Sequence, residues 1–485
     1  MSEKQNLRKI LLLVLAGAAA VLLLVWWIAG DAFYTQKTAS TPAEGETATG
    51  EITAEVSLAQ TFVCETDWMT GIGLAGGNYE GLSSGALQLV LKGEDGTALA
   101  AVTAAPELFD TEGYHELRFA GPVSGVKGKH LLLEVTSPGT PPGQGVTLFY
   151  GSSIRIGRGS VPLQIPEEER LRISGVPTDG RLCFIAYGEN GLWLGPHYFL
   201  VAGGVLLVLA LVALWILRRE AQGHATGFGN LVRAARKYRF LIRQLVQRDF
   251  KRKYRRSALG IVWSFLNPLL TMLVQYVVFS TLFRSSIEHY PVYLLSGIVL
   301  FNFFSEMTNS GMNSITDNAS LITKVSVPKY IYPVTRVLSA AVNVMFSLIP
   351  LFLVAILTGL RPSWSWLLIV LGLVSLMAFS LGVVFVLATM MTYFRDTQFL
   401  WGVLSMIWMY LTPIFYPESI IPARLISLYH CNPLYQIITF VRTALIDGVS
   451  PAPRAYVILF LIGIVPLAAG AWIFHRKEQD LVLHL

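Results

Sequence analysis

Residues Arg248 to Leu270 read RDFKRKYRRSALGIVWSFLNPLL, and the fold of the chain turns on them. The first part is basic, with Arg248, Lys251, Arg252, Lys253, Arg255 and Arg256, and a few residues later the stretch is apolar and aromatic. A helix that lies on a membrane face and then enters the bilayer needs this switch. Ile242, Val246, Phe250 and Tyr254 recur every fourth residue, so they share one helical face. Residues 226–258 are therefore expected to form a cytoplasmic amphipathic gate helix ahead of the membrane domain. The charge also fits a plain positive-inside flank before an ordinary spanning helix.

Composition supports a membrane setting. Of 485 residues, 53% are hydrophobic and 14% charged, and the mean hydropathy is +0.54, values of a polytopic membrane protein rather than a soluble one. The net charge is +6, but Lys and Arg gather beside apolar runs, so lipid and not nucleic acid is the expected partner. Three cysteines make no disulfide framework. No His/Cys cluster has metal spacing, and His115-Glu116 lacks the second His of a zinc helix.

Upstream, Ile10 to Ile28 is an unbroken apolar run preceded by Lys4, Arg8 and Lys9. It is long enough to span a bilayer, and no small-x-small cleavage site follows Trp26-Trp27. Residues 1–30 thus read as an uncleaved N-terminal anchor, and residues 31–197 as extracytoplasmic. Within these, 31–50, rich in Thr, Ala, Glu and Gly, read as a flexible linker. From 51 to 190 short alternating stretches such as Leu87–Leu91, His130–Val135 and Val146–Tyr150 are separated by Gly and Pro turns. That texture predicts an all-β sandwich, jelly-roll-like, inserted between helices. Trp68, Tyr79 and Tyr114 either stack on sugar rings or fill its core. Cys64 and Cys183 share this region, where an oxidising compartment permits a bridge that sequence cannot establish.

A second spanning helix is expected over 196–219, closed by Arg218-Arg219. The domain over 259–485 holds six more apolar segments, near 261–283, 292–309, 334–358, 365–391, 398–416 and 455–474. The chain is then a polytopic α-helical membrane protein with about eight spans, both termini cytoplasmic by their flanking charges. Pro413 to Pro433 is too apolar for a free loop and reads as two short helices dipping back into the outer leaflet.

Four stretches carry a family resemblance. They are Arg248–Leu270; Tyr293–Glu306 (YLLSGIVLFNFFSE); Asp317–Pro333 (DNASLITKVSVPKYIYP); and Arg395–Pro417, which starts RD and ends YLTPIFYP. Asn432-Pro433-Leu434 and Phe440–Arg442 complete the order. Over roughly 226–485 the chain resembles the type-2 ABC permeases that export polysaccharides such as O-antigen and teichoic acid. Phe301 departs from it, standing where that family usually has Trp.

The resemblance implies roles. The segment with Asp317, Asn318, Leu321, Ile322 and Lys324 resembles the one that contacts the ATPase; Asp317 is placed to cap a short helix, and Leu321 and Ile322 to offer an apolar docking face. Arg248, Tyr254, Arg255 and Arg256 stand at the gate, where arginine forks suit a lipid-linked pyrophosphate, or else merely set topology. Tyr276, Phe279 and Phe283 share a face, as do Trp401 and Trp408; both sets either line a glycan channel or pack helices. No catalytic or metal residue is expected. The phosphate loop of an ATPase is missing, since Gly128-Lys129 is followed by His130. ATP and Mg therefore belong to a partner subunit, and this chain holds no cofactor.

The expected function is the permease subunit of an ATP-driven exporter in a bacterial cytoplasmic membrane. Two copies pair with two ATPase subunits around a polyprenyl-pyrophosphate-linked glycan. Two other readings stand beside it: a drug or small-molecule exporter of the same superfamily, and a membrane-anchored carbohydrate receptor.

Overall fold

The computed structural model describes residues 3–480 apart from 45–46, 79–82, 111–112, 157–158, 223, 225, 255–259, 261, 283–288, 325–326, 419–420, 422 and 479. It divides into a helical unit, Met1–Ala32 with Pro196–Leu485, and a β unit, Phe33–Gly195.

The β unit is antiparallel throughout. One sheet runs Thr35–Ala39, Phe184–Gly191, Trp68–Gly77, Val146–Gly151, Arg181–Leu182, with Tyr114–Ser124 also on Trp68–Gly77 and Thr47–Ile52 on Val146–Gly151. A second runs Val176–Pro177, Arg172–Ile173, Leu58–Val63, His130–Thr136, Leu87–Lys92, Ala98–Ala104, and a small third runs Gly159–Pro162, Ser153–Ile156, Ala43–Glu44. Alternation drives this. In His130–Thr136 Leu131, Leu133 and Val135 point inward, and in Leu87–Lys92 so do Leu87, Leu89 and Leu91. They meet Met69, Ile72, Leu74, Val146 and Leu148 of the first sheet in one core, so the two sheets form a sandwich.

One expectation changes here. Residues 35–50 are not a flexible linker: Thr35–Ala39, Ala43–Glu44 and Thr47–Ile52 are strands, the first paired along its length with Tyr187–Gly191. Their Thr-rich composition suits a half-exposed edge as well as a tether. Cys64 and Cys183 are buried thiols that form no disulfide, and Cys64 Sγ lies 3.5 Å from Thr66 Oγ1. Trp68 is half-buried, and Tyr114 is 37% exposed with its hydroxyl donating to Ala43 O. Burial pushes the Tyr114 hydroxyl above its ordinary range. Tyr79 lies outside the described residues.

The helical unit opens with α1 (Glu3–Tyr34) and α2 (Leu194–Ala221), which pack through Leu7, Leu11, Ala213 and Ile216. The basic stretch is two helices, not one: α3 (Gly227–Lys237), capped by Thr226, and α4 (Arg239–Tyr254), with a break at Tyr238. Then come α5 (Val262–Leu282), α6 (Tyr290–Met312), α7 (Ala319–Ile322), α8 (Ile331–Leu357), α9 (Ile369–Tyr393), α10 (Thr397–Leu411), α11 (Ala423–His430), α12 (Pro433–Leu445) and α13 (Pro453–Lys477). Of the described helices, seven are long and apolar enough to cross a membrane. The predicted eighth, α10, has 15 residues, rises about 22 Å, and falls short of a hydrocarbon core about 30 Å thick. The protein is thus a polytopic membrane protein with an inserted β domain. Of the two short helices expected over 413–433, the described residues hold α11, and the next short helix, α12, starts only at Pro433.

Glycines let α9 and α13 touch. A Cβ at Gly382 would stand 2.3 Å from Pro466 O, and one at Gly470 2.1 Å from Gly382 O. Small residues at such crossings are what holds helices together where lipid offers no hydrophobic gain.

Candidate functional site

The polar residues of α6 are not scattered. Asn302, Ser305, Glu306, Asn309 and Ser310 fall at helical spacing, so they form a stripe on an otherwise apolar helix. On α8, Arg336, Ser339, Asn343 and Ser347 form a second stripe. These two stripes line neighbouring cavities of about 510 and 300 Å3, with Arg252 and Lys253 of α4 and Ser264 and Asn267 of α5. Both cavities share Lys253, Glu306 and Asn343.

Glu306 sits at the junction. Its Oε1 accepts from Lys253 Nζ at 2.6 Å and from Asn343 Nδ2 at 2.6 Å. A carboxylate on a spanning helix is costly unless paired, and it marks function by default. Asn and Ser side chains both donate and accept, while Lys253 and Arg252 donate only. The chamber therefore offers partners to sugar hydroxyls and to phosphate oxygens alike. Sequence reasoning missed Glu306, Lys253 and Asn343 as a group. The signal was present: a carboxylate within an apolar run, flanked by Asn and Ser at helical spacing.

A second cluster ties α4 to the loop around α7. Arg336 of α8 reaches Asp249 at 3.2 Å and Asp317 at 2.8 Å. Arg248 donates to Asp249 Oδ1 at 3.1 Å and to Asn318 Oδ1 at 3.3 Å, and Asn318 Nδ2 donates to Ser314 O at 2.8 Å. Of the predicted gate residues, Arg248 is thus engaged by the loop. Tyr254 ends α4, and its side chain, with Arg255 and Arg256, lies outside the described residues.

The loop differs from expectation. Asp317 caps no helix; its carboxylate is taken by Arg336. Ile322 is 8% exposed, in a core with Leu245, Ile315, Tyr332, Phe385, Ala388 and Phe474, and Leu321 packs on the same cluster. The predicted docking face is turned inward because α7 is short and its apolar side chains complete this core. Ser320, Thr323 and Lys324 are exposed instead.

The aromatic sets separate. Trp401 is 6% exposed and packs with Phe304 and Trp408; Phe304 and Trp408 each meet Phe379. Trp401 is thus helix packing and does not face a channel. Trp408 Nε1 donates to Asn432 Oδ1 at 2.9 Å. Tyr276 meets Tyr290 and is 38% exposed, while Phe279 stacks on Phe415 at 5.4 Å. Phe283 lies outside the described residues.

The later motif residues are structural. Asn432 caps α12 through Leu434 N and donates to Thr412 Oγ1, and Pro433 starts the helix. Arg442, 8% exposed, donates to Pro413 O at 2.8 Å, Tyr293 O at 2.9 Å and Ile414 O at 3.2 Å. Its guanidinium lies 3.4 Å from the Tyr293 ring centre. Among the described residues no cluster of three or more His, Cys, Asp or Glu is placed to hold a metal ion.

The ABC-2 type transporter family matches residues 241–446, from α4 to just past α12. The chain is similar to the O-antigen export system permease protein RfbA of Myxococcus xanthus, 31% identical over 254 residues, covering 52% of this chain and 97% of that protein. It is similar to RfbA of Klebsiella pneumoniae, 27% identical over 239 residues, covering 48% and 90% of the two chains. The polysialic acid transport protein KpsM of Escherichia coli is 22% identical over 244 residues, covering 50% and 95%.

Proposed function

The chain belongs to the ABC-2 type transporter family, and from that premise we propose that it is the permease subunit through which a lipid-linked polysaccharide crosses the cytoplasmic membrane. The observation that carries this is the polar chamber within an apolar bundle. Asn267, Asn302, Asn309 and Asn343, with Lys253 and Glu306, line one cavity that a hydroxyl-rich polymer and its phosphate-bearing carrier can both use.

Energy comes from ATP and Mg on a separate ATPase subunit, two of which bind two copies of this chain. The ATPase meets the exposed polar edge of Ser320, Thr323 and Lys324 rather than Leu321 and Ile322. Movement there reaches α4 through Asp317, Arg336 and Asp249. In this reading the α7 loop and both termini face the cytoplasm and the β unit lies outside, as the Lys and Arg flanks suggest.

A strain lacking the chain tests this. Its surface polysaccharide is expected to vanish and to return with the wild-type gene. Lys253→Glu, which sets a second carboxylate against Glu306, is expected to restore less than about one tenth, the effect of roughly 1.4 kcal/mol on a limiting step. A deletion strain with normal surface polysaccharide overturns the reading.

A further inference from the structure

The helix that carries the chamber carries a second cavity at its other end. Tyr293 and Glu306 are separated by 13 positions on α6, or roughly 20 Å of helix. Around Tyr293 lies a cavity of about 550 Å3. From α12 it is lined by Tyr435, Thr439, Arg442 and Thr443, whose spacing puts them on one face. Glu418 and Asp447 add two carboxylates.

We infer that this cavity is a second binding site, for a neutral sugar residue of the exported polymer; the inference rests on the exporter reading above. The volume falls in the range of small-ligand sites and admits roughly one or two sugar rings. The chemistry selects hydroxyls. Carboxylates accept from them, and Thr439 and Thr443 both accept and donate. Arg442 and His289 share the lining with the two carboxylates, so the cavity presents donors as well as acceptors to sugar hydroxyls.

The site is held in shape before any ligand arrives. Glu418 Oε2 accepts from the Tyr435 hydroxyl at 2.5 Å, and its Oε1 lies 3.0 Å from His430 Nε2. A carboxylate has about four lone-pair sites, so capacity is left for the sugar. Arg442 acts as a positioning residue. Its bonds to Pro413 O and Ile414 O hold the start of the segment that leads to Glu418. Order of this kind before binding lowers the entropic cost of holding a weak, hydroxylated ligand. The arrangement also gives Arg442, a motif residue with no evident task in the sequence, a physical one.

Photo-crosslinking in intact cells tests the inference. The full chain, expressed with its ATPase in cells that make the polymer, carries p-benzoylphenylalanine at Thr443, and in a parallel variant at Thr439. Asn302 in the chamber and Phe460, 64% exposed on α13, serve as comparison positions. Surface polysaccharide is measured for each variant, and the position that retains export carries the result. A carbohydrate-positive adduct is expected at Thr443 or Thr439 and not at Phe460. Asp447→Asn is expected to lower its yield about fivefold to tenfold, the loss of one charged acceptor. An adduct at Asn302 with none at Thr443 or Thr439 overturns the second site and leaves the export reading standing. An adduct at Phe460 of equal yield overturns it as non-specific. No adduct at any position, with surface polysaccharide unchanged by deletion of the chain, overturns both.

Discussion

The two units of this protein solve opposite problems with the same residue types. In the β unit leucines point in and charges point out: Leu131 and Leu133 are 1% exposed, while Lys92 and Glu134 pair at the surface at 2.6 Å. In the helical unit many leucines also point out, such as Leu200 at 71% and Leu357 at 76% exposed, while the polar Asp249, Arg336 and Asn343 are turned inward. The difference lies in the solvent. Water favours hiding apolar surface, whereas lipid is as apolar as leucine and favours hiding polar groups against each other.

That contrast can be broken most severely from the β side. Leu133→Asp buries a carboxylate with no partner in a core built to exclude water. The expected cost is about 4–5 kcal/mol, enough to unfold the β unit of the full-length protein. Limited proteolysis should then cut within residues 51–190, where wild type resists. Resistance equal to wild type would show that this core is not dry.

The helical side should break more gently. Arg336→Met removes the partner of Asp317 and leaves Asp249 with Arg248 alone, at an expected cost of about 2–3 kcal/mol, less than a dry core would impose because Asp317 is about half exposed. Adding Asp249→Leu should recover most of the loss, since the buried carboxylate left behind by Arg336→Met is then gone as well. Thermal unfolding of the detergent-purified chain, followed by tryptophan fluorescence, measures both. An Arg336→Met protein with wild-type Tm removes the bridge from the account.

The smallest effect concerns surface charge on the β unit. Lys127 and the Gly191 N–H hold the Asp67 carboxyl below its usual range. A depressed folded pKa contributes stability above the unfolded carboxylate range and loses it as pH falls through the folded value. The β unit should therefore weaken slightly only in acid, and Lys127→Ala should move the Asp67 titration upward. NMR titration of its side chain reads this directly; an unmoved midpoint discards the pairing.

Much of the fold was legible because its signals are local. The apolar run at Ile10–Ile28 and the alternation at Leu87–Leu91 each declare an element within a few residues. The site was harder to read. Arg248 stands out in the sequence by its charge, yet its partners are Asp249 and Asn318, the second 70 positions away. Leu321 and Ile322 looked like a docking edge because both are apolar, and an apolar residue in a loop does not say which side it faces. Glu306 shows in the sequence as a charge within an apolar segment, but its meeting with Lys253 and Asn343 does not.

By itself the sequence determined the membrane setting, the split into a strand-rich insert and a helical remainder, and the family, because hydropathy, period and motif order are properties of the chain read in line. Only the tertiary structure decided which polar residues meet. Lys253, Glu306 and Asn343 come from three helices, and Asp249, Arg336 and Asp317 from two helices and a loop. Their juxtaposition depends on helix packing at close range, where glycines such as Gly382 and Gly470 set how near two backbones approach. A linear pattern places a side chain on a face, but the neighbour that face meets is fixed by packing across the bundle.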